Sequence, residues 1–198
     1  MDKILIATKN AGKAREYQRM FSKLGISVQT LLDMKDVPTI KETGKTFAEN
    51  ALIKANTLTK KLHIPVLADD SGLVVDALDG APGIYSARYA GDHDDAANKA
   101  KLLRELEGVP DDKRTAHFHC TIVVTKERSD PLIANGDVEG RILTEERGSD
   151  GFGYDPLFFY PPAGKSFAEM DMNEKNAVSH RGRALENLER NFSDWWDK

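Results

Sequence analysis

The chain predicts an α/β fold with a central mixed β-sheet and flanking helices. Three observations carry this. Short apolar runs alternate with helical periodicities in the first half, where "KILIA" and "ISVQTLL" bracket "KAREYQRMFSKL". Strand-like runs then gather in the second half, in "AHFHCTIVVT" and "GDVEGRIL". The length, 198 residues, suits a single domain of roughly 100–200 residues spanning 1–198.

Element by element, Lys3 to Ala7 reads as a buried strand. Lys13 to Leu24 reads as a helix with Tyr17, Met20, Phe21 and Leu24 at helical spacing. "GISVQTLL" alternates as a second strand, and "DVPTIKETGKT" is a polar loop. Thr46 to His63 is the clearest helix. Its "TFAE" start is a capping box, in which the Thr46 hydroxyl accepts from the backbone three residues on and Glu49 reaches back. Phe47, Ala51, Ala55, Leu58 and Leu62 share one face of that helix. "IPVLADDSGLVVDAL" is an apolar strand that ends in two adjacent acids. Ala96 to Leu106 reads as a helix. "RGSDGFGYDPLFFYPP" is a Gly-rich aromatic loop leading into a short strand. Ser179 to Phe192 is a final helix capped by Ser179, with Ala184, Leu185, Leu188 and Phe192 inward.

Composition narrows the function classes. Hydrophobic content of 40% and charged content of 30% describe a globular protein with enough apolar mass for a core. A formal charge of -4 argues against bulk electrostatic binding of long nucleic acid. One cysteine, Cys120, permits no internal disulfide and suits a reducing, cytoplasmic compartment. No apolar run approaches a membrane span of about 20 residues.

The chemistry-bearing residues begin with "ATKNAGK". A strand, a polar turn, a Gly-Lys pair and a helix start are a good place to hold an anion. It is not a Walker loop, because Ala7 stands where the first Gly belongs and Ala14 follows the Lys. Asp69 and Asp70 are either cleft carboxylates at a strand end or a solvated pair in a turn. As neighbours on a strand they point to opposite faces and so have different roles. A pair such as Glu42 and Asp70 suits magnesium, which takes oxygen ligands and keeps several waters. Lys54, at the edge of an apolar stripe beside Asn50, either snorkels or points into a cleft. With Lys13 and Arg88 it would clamp a polyphosphate. "GFGYDP" can stack a planar ring and offer it an acceptor, or be a tight aromatic turn packed on the core. Lys175, His180 and Arg181 surround a helix start. "HFHC" is not a zinc site, since Cys120 faces away from His117 and His119 and no second ligand pair is spaced for it.

Together, "ATKNAGK", "ETGKTFAENALIKA", "ADDSGLVVDALDGAPGIYSARYAG", "GFGYDPLF" and "EKNAVSHRGRAL" resemble the inosine triphosphate pyrophosphatase family, in family order from Ala7 to Leu185. The resemblance implies an elongated α/β fold with two lobes around a nucleotide-binding cleft, and a homodimer. It implies hydrolysis of the triphosphates of inosine, deoxyinosine and xanthosine to monophosphate and pyrophosphate, with Mg2+. By the same resemblance, the turn Thr8, Lys9, Asn10, Ala11, Gly12 and Lys13 grips phosphates. Position 9 is often Gly in the family, so Lys9 adds a local charge. Glu42 and Asp70 match the metal ligands, and Asp70 also matches the proton acceptor. Ser71 matches a substrate contact, and Lys54 and Arg88 match phosphate contacts. Phe152, Gly153, Tyr154 and Asp155 match the base-binding loop. Lys175, His180 and Arg181 match further base and nucleotide contacts. Two other readings remain open at this level: a pyrophosphatase for other modified nucleotides, and a nucleotide-binding module without catalysis.

Overall fold

A computed structural model describes residues 3–92 and 94–197. The side chains of Glu16 and Met20 lie outside the described parts, so the inward place predicted for Met20 does too. Strands β1 (Lys3–Ile6), β2 (Ser27–Thr30), β3 (Val66–Val75), β4 (Thr115–Thr125), β5 (Leu132–Ile142), β6 (Phe158–Tyr160) and β7 (Lys165–Ser166) form one open sheet. Its order is β2-β1-β3-β4-β5-β6-β7. β1 is parallel to β2 and β3, whereas β6 is antiparallel to β5 and β7, so the sheet is mixed as predicted. The helices are α1 (Ala11–Lys23), α2 (Phe47–Leu62), α3 (Asp95–Glu105), α4 (Met172–Val178) and α5 (His180–Trp196). Among the described residues no helix is long and apolar enough to cross a membrane.

The chain divides into two compact units. The first comprises Met1–Asp70, Thr121–Asn135 and Ala184–Lys198; the second comprises Ser71–Cys120 and Gly136–Arg183. In the first, the apolar stripe of α2 buries Ala51, Ala55 and Leu58 against Leu5, Val66, Ala68 and Val123. Ile4 and Ile6 alternate with Leu5 and so point to the opposite side of β1, where they are equally buried. Phe21 of α1 meets Phe192 of α5 edge to face at 5.2 Å. Burying an aromatic or leucine of this kind contributes about 1.5–3 kcal/mol. In the second unit, Leu73 and Val75 join Leu102 of α3, Leu106 just beyond it and a cluster of rings. Phe118 packs against Phe158 at 4.6 Å and stacks with Phe167 at 5.9 Å.

Local chemistry sets the helix starts, with some differences from expectation. Thr46 caps α2 as predicted, its Oγ1 accepting from the Glu49 N–H at 3.1 Å. Glu49 reaches one residue further back than a capping box requires, accepting from the Lys45 N–H at 2.5 Å. Ser179 accepts from the Gly182 N–H at 3.1 Å and so caps α5. α1 starts at Ala11 rather than Lys13, because Asn10 supplies the cap. The larger correction concerns the acids. β3 does not end at Asp69 and Asp70 but runs straight through them to Val75. The inward alternation resumes beyond them at Leu73 and Val75, and burying those residues keeps the backbone extended.

Candidate active site

The first unit gathers the opening turn and the acids. Thr8 is buried, and its Oγ1 accepts from the Asn10 N–H at 3.1 Å. Asn10 Oδ1 accepts in turn from the Lys13 N–H at 3.1 Å, which opens α1 with Lys13 in its first turn. A cation there opposes the helix dipole and needs an anion beside it. Asp69 supplies one, its Oδ2 accepting from Lys13 Nζ at 2.6 Å. Lys9 and Ala11 are exposed, and Gly12 is partly buried between them and Lys13.

Asp70, on the opposite face of β3, joins a second group. Lys54 Nζ lies 3.2 Å from Glu42 Oε1 and 3.8 Å from Asp70 Oδ1. Lys54 therefore points at carboxylates rather than snorkelling to water. Burial works against its charge, but Asp70, Asp69 and Glu42 outweigh that and hold its pKa above the ordinary lysine value. The Asp70 carboxyl is pushed up from its usual range, first by burial and also by Glu42, despite the counteracting Lys54, Asn50 and Lys13. Glu42, Asp69 and Asp70 carry three negative charges against two positive ones on Lys13 and Lys54, which leaves one in excess. Among the described residues no three His, Cys, Asp or Glu side chains form a metal cluster. The two carboxylates that share Lys54 do fit a hard divalent ion, which takes one or two carboxylates and completes its shell with water and phosphate oxygens.

Sequence reasoning passed over Asn50 as part of this group. It is fully buried, its Nδ2 donating to Asp70 Oδ2 at 3.2 Å and its Oδ1 accepting from the Gly44 N–H at 2.8 Å. The available signal was a polar amide one turn before Lys54, on the margin of an apolar stripe.

The second unit carries the aromatic loop. Asp155 is buried, and its Oδ2 accepts from the Phe152 N–H at 2.8 Å and from Lys175 Nζ at 2.5 Å. Gly151 is required beneath it: φ is +82°, and a Cβ there would lie 2.2 Å from Asp155 Oδ2. Gly153 donates its N–H to Asp95 Oδ2 at 2.8 Å. The Tyr154 hydroxyl donates to the Ser86 carbonyl at 2.9 Å, and burial pushes that phenol's pKa up. These bonds hold Phe152 outward, 43% exposed. Lys175 Nζ lies 4.9 Å from the Phe152 ring centroid, and the buried Arg181 guanidinium lies 5.8 Å from it. Asp95 and Ser86, which anchor this loop, were also not foreseen; neither lies near "GFGYDP" in the chain.

Other predicted residues stand elsewhere. His180 is buried and stacks on Phe118 at 4.8 Å with a 17° interplanar angle, so its ring belongs to the aromatic core. Arg88 is exposed at the end of a 3-10 turn, its guanidinium 5.1 Å from the Tyr85 ring. Ser71 is half-buried at the second residue of the pair Asp70-Ser71 within β3. His119 pairs with Asp137 at 2.6 Å, and Cys120 is buried.

An open mixed sheet, a lysine-tipped helix start and carboxylates sharing a second lysine define a protein suited to a metal-bound polyphosphate. The chain matches the Ham1 family over residues 4–191 and belongs to it. It is 53% identical over 199 residues to a dITP/XTP pyrophosphatase of Listeria monocytogenes serotype 4b, covering 100% of this chain and 98% of that one. A dITP/XTP pyrophosphatase of Lactiplantibacillus plantarum is 52% identical over 195 residues, covering 98% and 96%. A HAM1 protein from Coxiella burnetii has a solved structure with a TM-score of 0.90 at 45% identity, over 98% of this chain and all (100%) of that one.

Proposed function

We propose that this protein hydrolyses non-canonical purine nucleoside triphosphates, those of inosine, deoxyinosine and xanthosine, to the monophosphate and pyrophosphate. The observation that carries it is Lys54 held between Glu42 and Asp70, with the Lys13–Asp69 pair in the same unit. The names and full-length similarity of the relatives support the substrate class.

Glu42 and Asp70 are the residues that would hold the divalent ion, which we take to be Mg2+. When bound, such an ion neutralises phosphate oxygens and makes a water more acidic. Asp70 orients the attacking water and accepts its proton. Lys13 and Lys54 meet the charge that develops on the leaving pyrophosphate. Lys13 can exchange Asp69 for a phosphate oxygen, because both are anions at the same helix start. The resemblance gives Arg88 the same role and adds the Thr8–Lys13 turn and Ser71 as contacts. Phe152 offers its exposed ring to the purine, with Gly153, Tyr154 and Asp155 shaping the loop. Lys175 and Arg181 are donors that suit the six-position carbonyl of hypoxanthine and xanthine but not the amino group of adenine. A buried polar group left unmatched costs about 1–3 kcal/mol. We place His180 behind this surface, supporting it through Phe118.

The single catalytic domain covers 1–198, and we propose a homodimer in the cytoplasm, as the resemblance and the lone cysteine suggest. The testing experiment is pyrophosphate release from inosine, xanthosine, guanosine and adenosine triphosphates, with and without Mg2+. Fast Mg2+-dependent release from the first two alone is the expected result. Equal release from all four would discard the base-reading roles, and none from folded protein would overturn the catalytic reading.

A further inference from the structure

We infer that Asn50 is a positioning residue that sets Glu42 and Asp70 against one another through a single side-chain amide. The inference rests on the metal reading above. Gly44 lies two residues beyond Glu42, on the loop that precedes α2. Its N–H donates to Asn50 Oδ1 at 2.8 Å, and Asn50 Nδ2 donates to Asp70 Oδ2 at 3.2 Å. The Gly44 N–H needs an acceptor and an ionised Asp70 needs a donor, so only one orientation of the amide satisfies both.

The consequence lies at the other oxygen of Asp70. With Oδ2 engaged by Asn50, Oδ1 is the atom that lies 3.8 Å from Lys54 Nζ, and Glu42 Oε1 lies 3.2 Å from the same nitrogen. One oxygen from each carboxylate is thereby turned toward one cation. The amide has no charge and leaves the local balance unchanged; it fixes orientation only. It can do so because it is fully buried on α2, whose start is capped by Thr46. The loop can lie this close only because residue 44 has no side chain. A Cβ there would stand 2.7 Å from Asn50 Oδ1 and 2.9 Å from the Asn50 nitrogen.

The test pairs Asn50→Leu, which keeps the volume and removes both bonds, with Gly44→Ala, which keeps the amide but presses a Cβ against Asn50 and Glu49 from the loop side. Binding of Mn2+ alone to the nucleotide-free protein is titrated by electron paramagnetic resonance, beside steady-state kinetics. Loss of a partner that orients metal ligands weakens metal binding by about 10–100-fold. Asn50→Leu is expected in that range, with kcat reduced and KM for inosine triphosphate at saturating metal little changed. Gly44→Ala is expected to weaken Mn2+ binding less. The preference for inosine over adenosine triphosphate stays as in the wild type in both. If Asn50→Leu does not fold, Gly44→Ala decides alone. Wild-type Mn2+ affinity in the folded variants would overturn the positioning role. A wild-type protein that neither binds Mn2+ nor needs metal for turnover would instead overturn the functional reading beneath it.

Discussion

Lys13 and Asp69 form a 2.6 Å ion pair although 56 positions separate them in the chain. The Asp69 side chain is only 2% exposed, so it has little access to water if the lysine is removed. Breaking a buried pair from one side costs about 3–5 kcal/mol. Lys13→Ala is expected to lose about 3 kcal/mol in a urea melt and to bind nucleotide more weakly. Asp69→Asn added to it should restore part of the stability but not the binding. A fully additive double mutant would show that the two side chains do not depend on one another.

Asp70→Asn separates catalysis from stability. Turnover should fall by ~10²-fold or more with the shape of the site preserved. The stability effect has the opposite sign. The folded Asp70 carboxyl titrates above its ordinary 3.8 because of burial and Glu42. Its contribution to stability is therefore complete below that ordinary value and is lost as pH rises through the raised folded one. At neutral pH the ionised group is a net cost to the metal-free fold. Metal-free Asp70→Asn should melt no lower than the wild type at pH 7, and Mg2+ should stabilise it less. Near-normal turnover, or a melting point several degrees lower, would sink this account.

Phe152 presents its ring to solvent beside Lys175 and Arg181, and under the proposed function the purine stacks on it. Base stacking on an aromatic side chain is worth about 1–3 kcal/mol. Phe152→Ala should raise KM for inosine triphosphate by roughly 5- to 150-fold while leaving kcat within a few-fold. Arg181→Ala should also narrow the preference for inosine over adenosine triphosphate. An unchanged preference would remove Arg181 from base reading.

Lys126 closes the C-terminal helix. Its Nζ donates to the Trp195 and Trp196 carbonyls at 3.0 and 2.6 Å, and Trp195 Nε1 donates to the Asp130 carbonyl at 2.7 Å. Trp196 stacks on Phe192 at 5.1 Å, so both tryptophans pack within their own unit. A cation at a helix C-terminus contributes about 0.3–1 kcal/mol, and the two hydrogen bonds add to it. Lys126→Ala should lower Tm by about 2–4 °C for each kcal/mol lost, with turnover unchanged. A drop in kcat without a drop in Tm would contradict a purely structural role.

The sequence by itself determined what short-range physics controls. The periodicity of Phe47 to Leu62 and the hydroxyl of Thr46 specify α2 and its start, because helical contacts and caps lie within four residues. The apolar run "AHFHCTIVVT" marked β4, while "GDVEGRIL" marked only the part of β5 from Gly136 onward and missed its start at Leu132. Residue types and their order were enough for the resemblance, and hence for the candidate residues. Tertiary structure decided what depends on partners distant in the chain. β3 continues past Asp70 because Leu73 and Val75 find a core built by α3 and by the rings of β4 and β6. Glu42 lies in a polar loop whose sequence does not show its partner; the fold brings Lys54 to it. His180 stands at a helix start in the sequence but stacks on Phe118, some sixty positions away. Asn50 acquires its role only because one rigid helix brings the loop at Gly44 and the middle of β3 to the two ends of the same amide. Buried polar groups must find partners wherever the fold puts them, and no local pattern states where that will be.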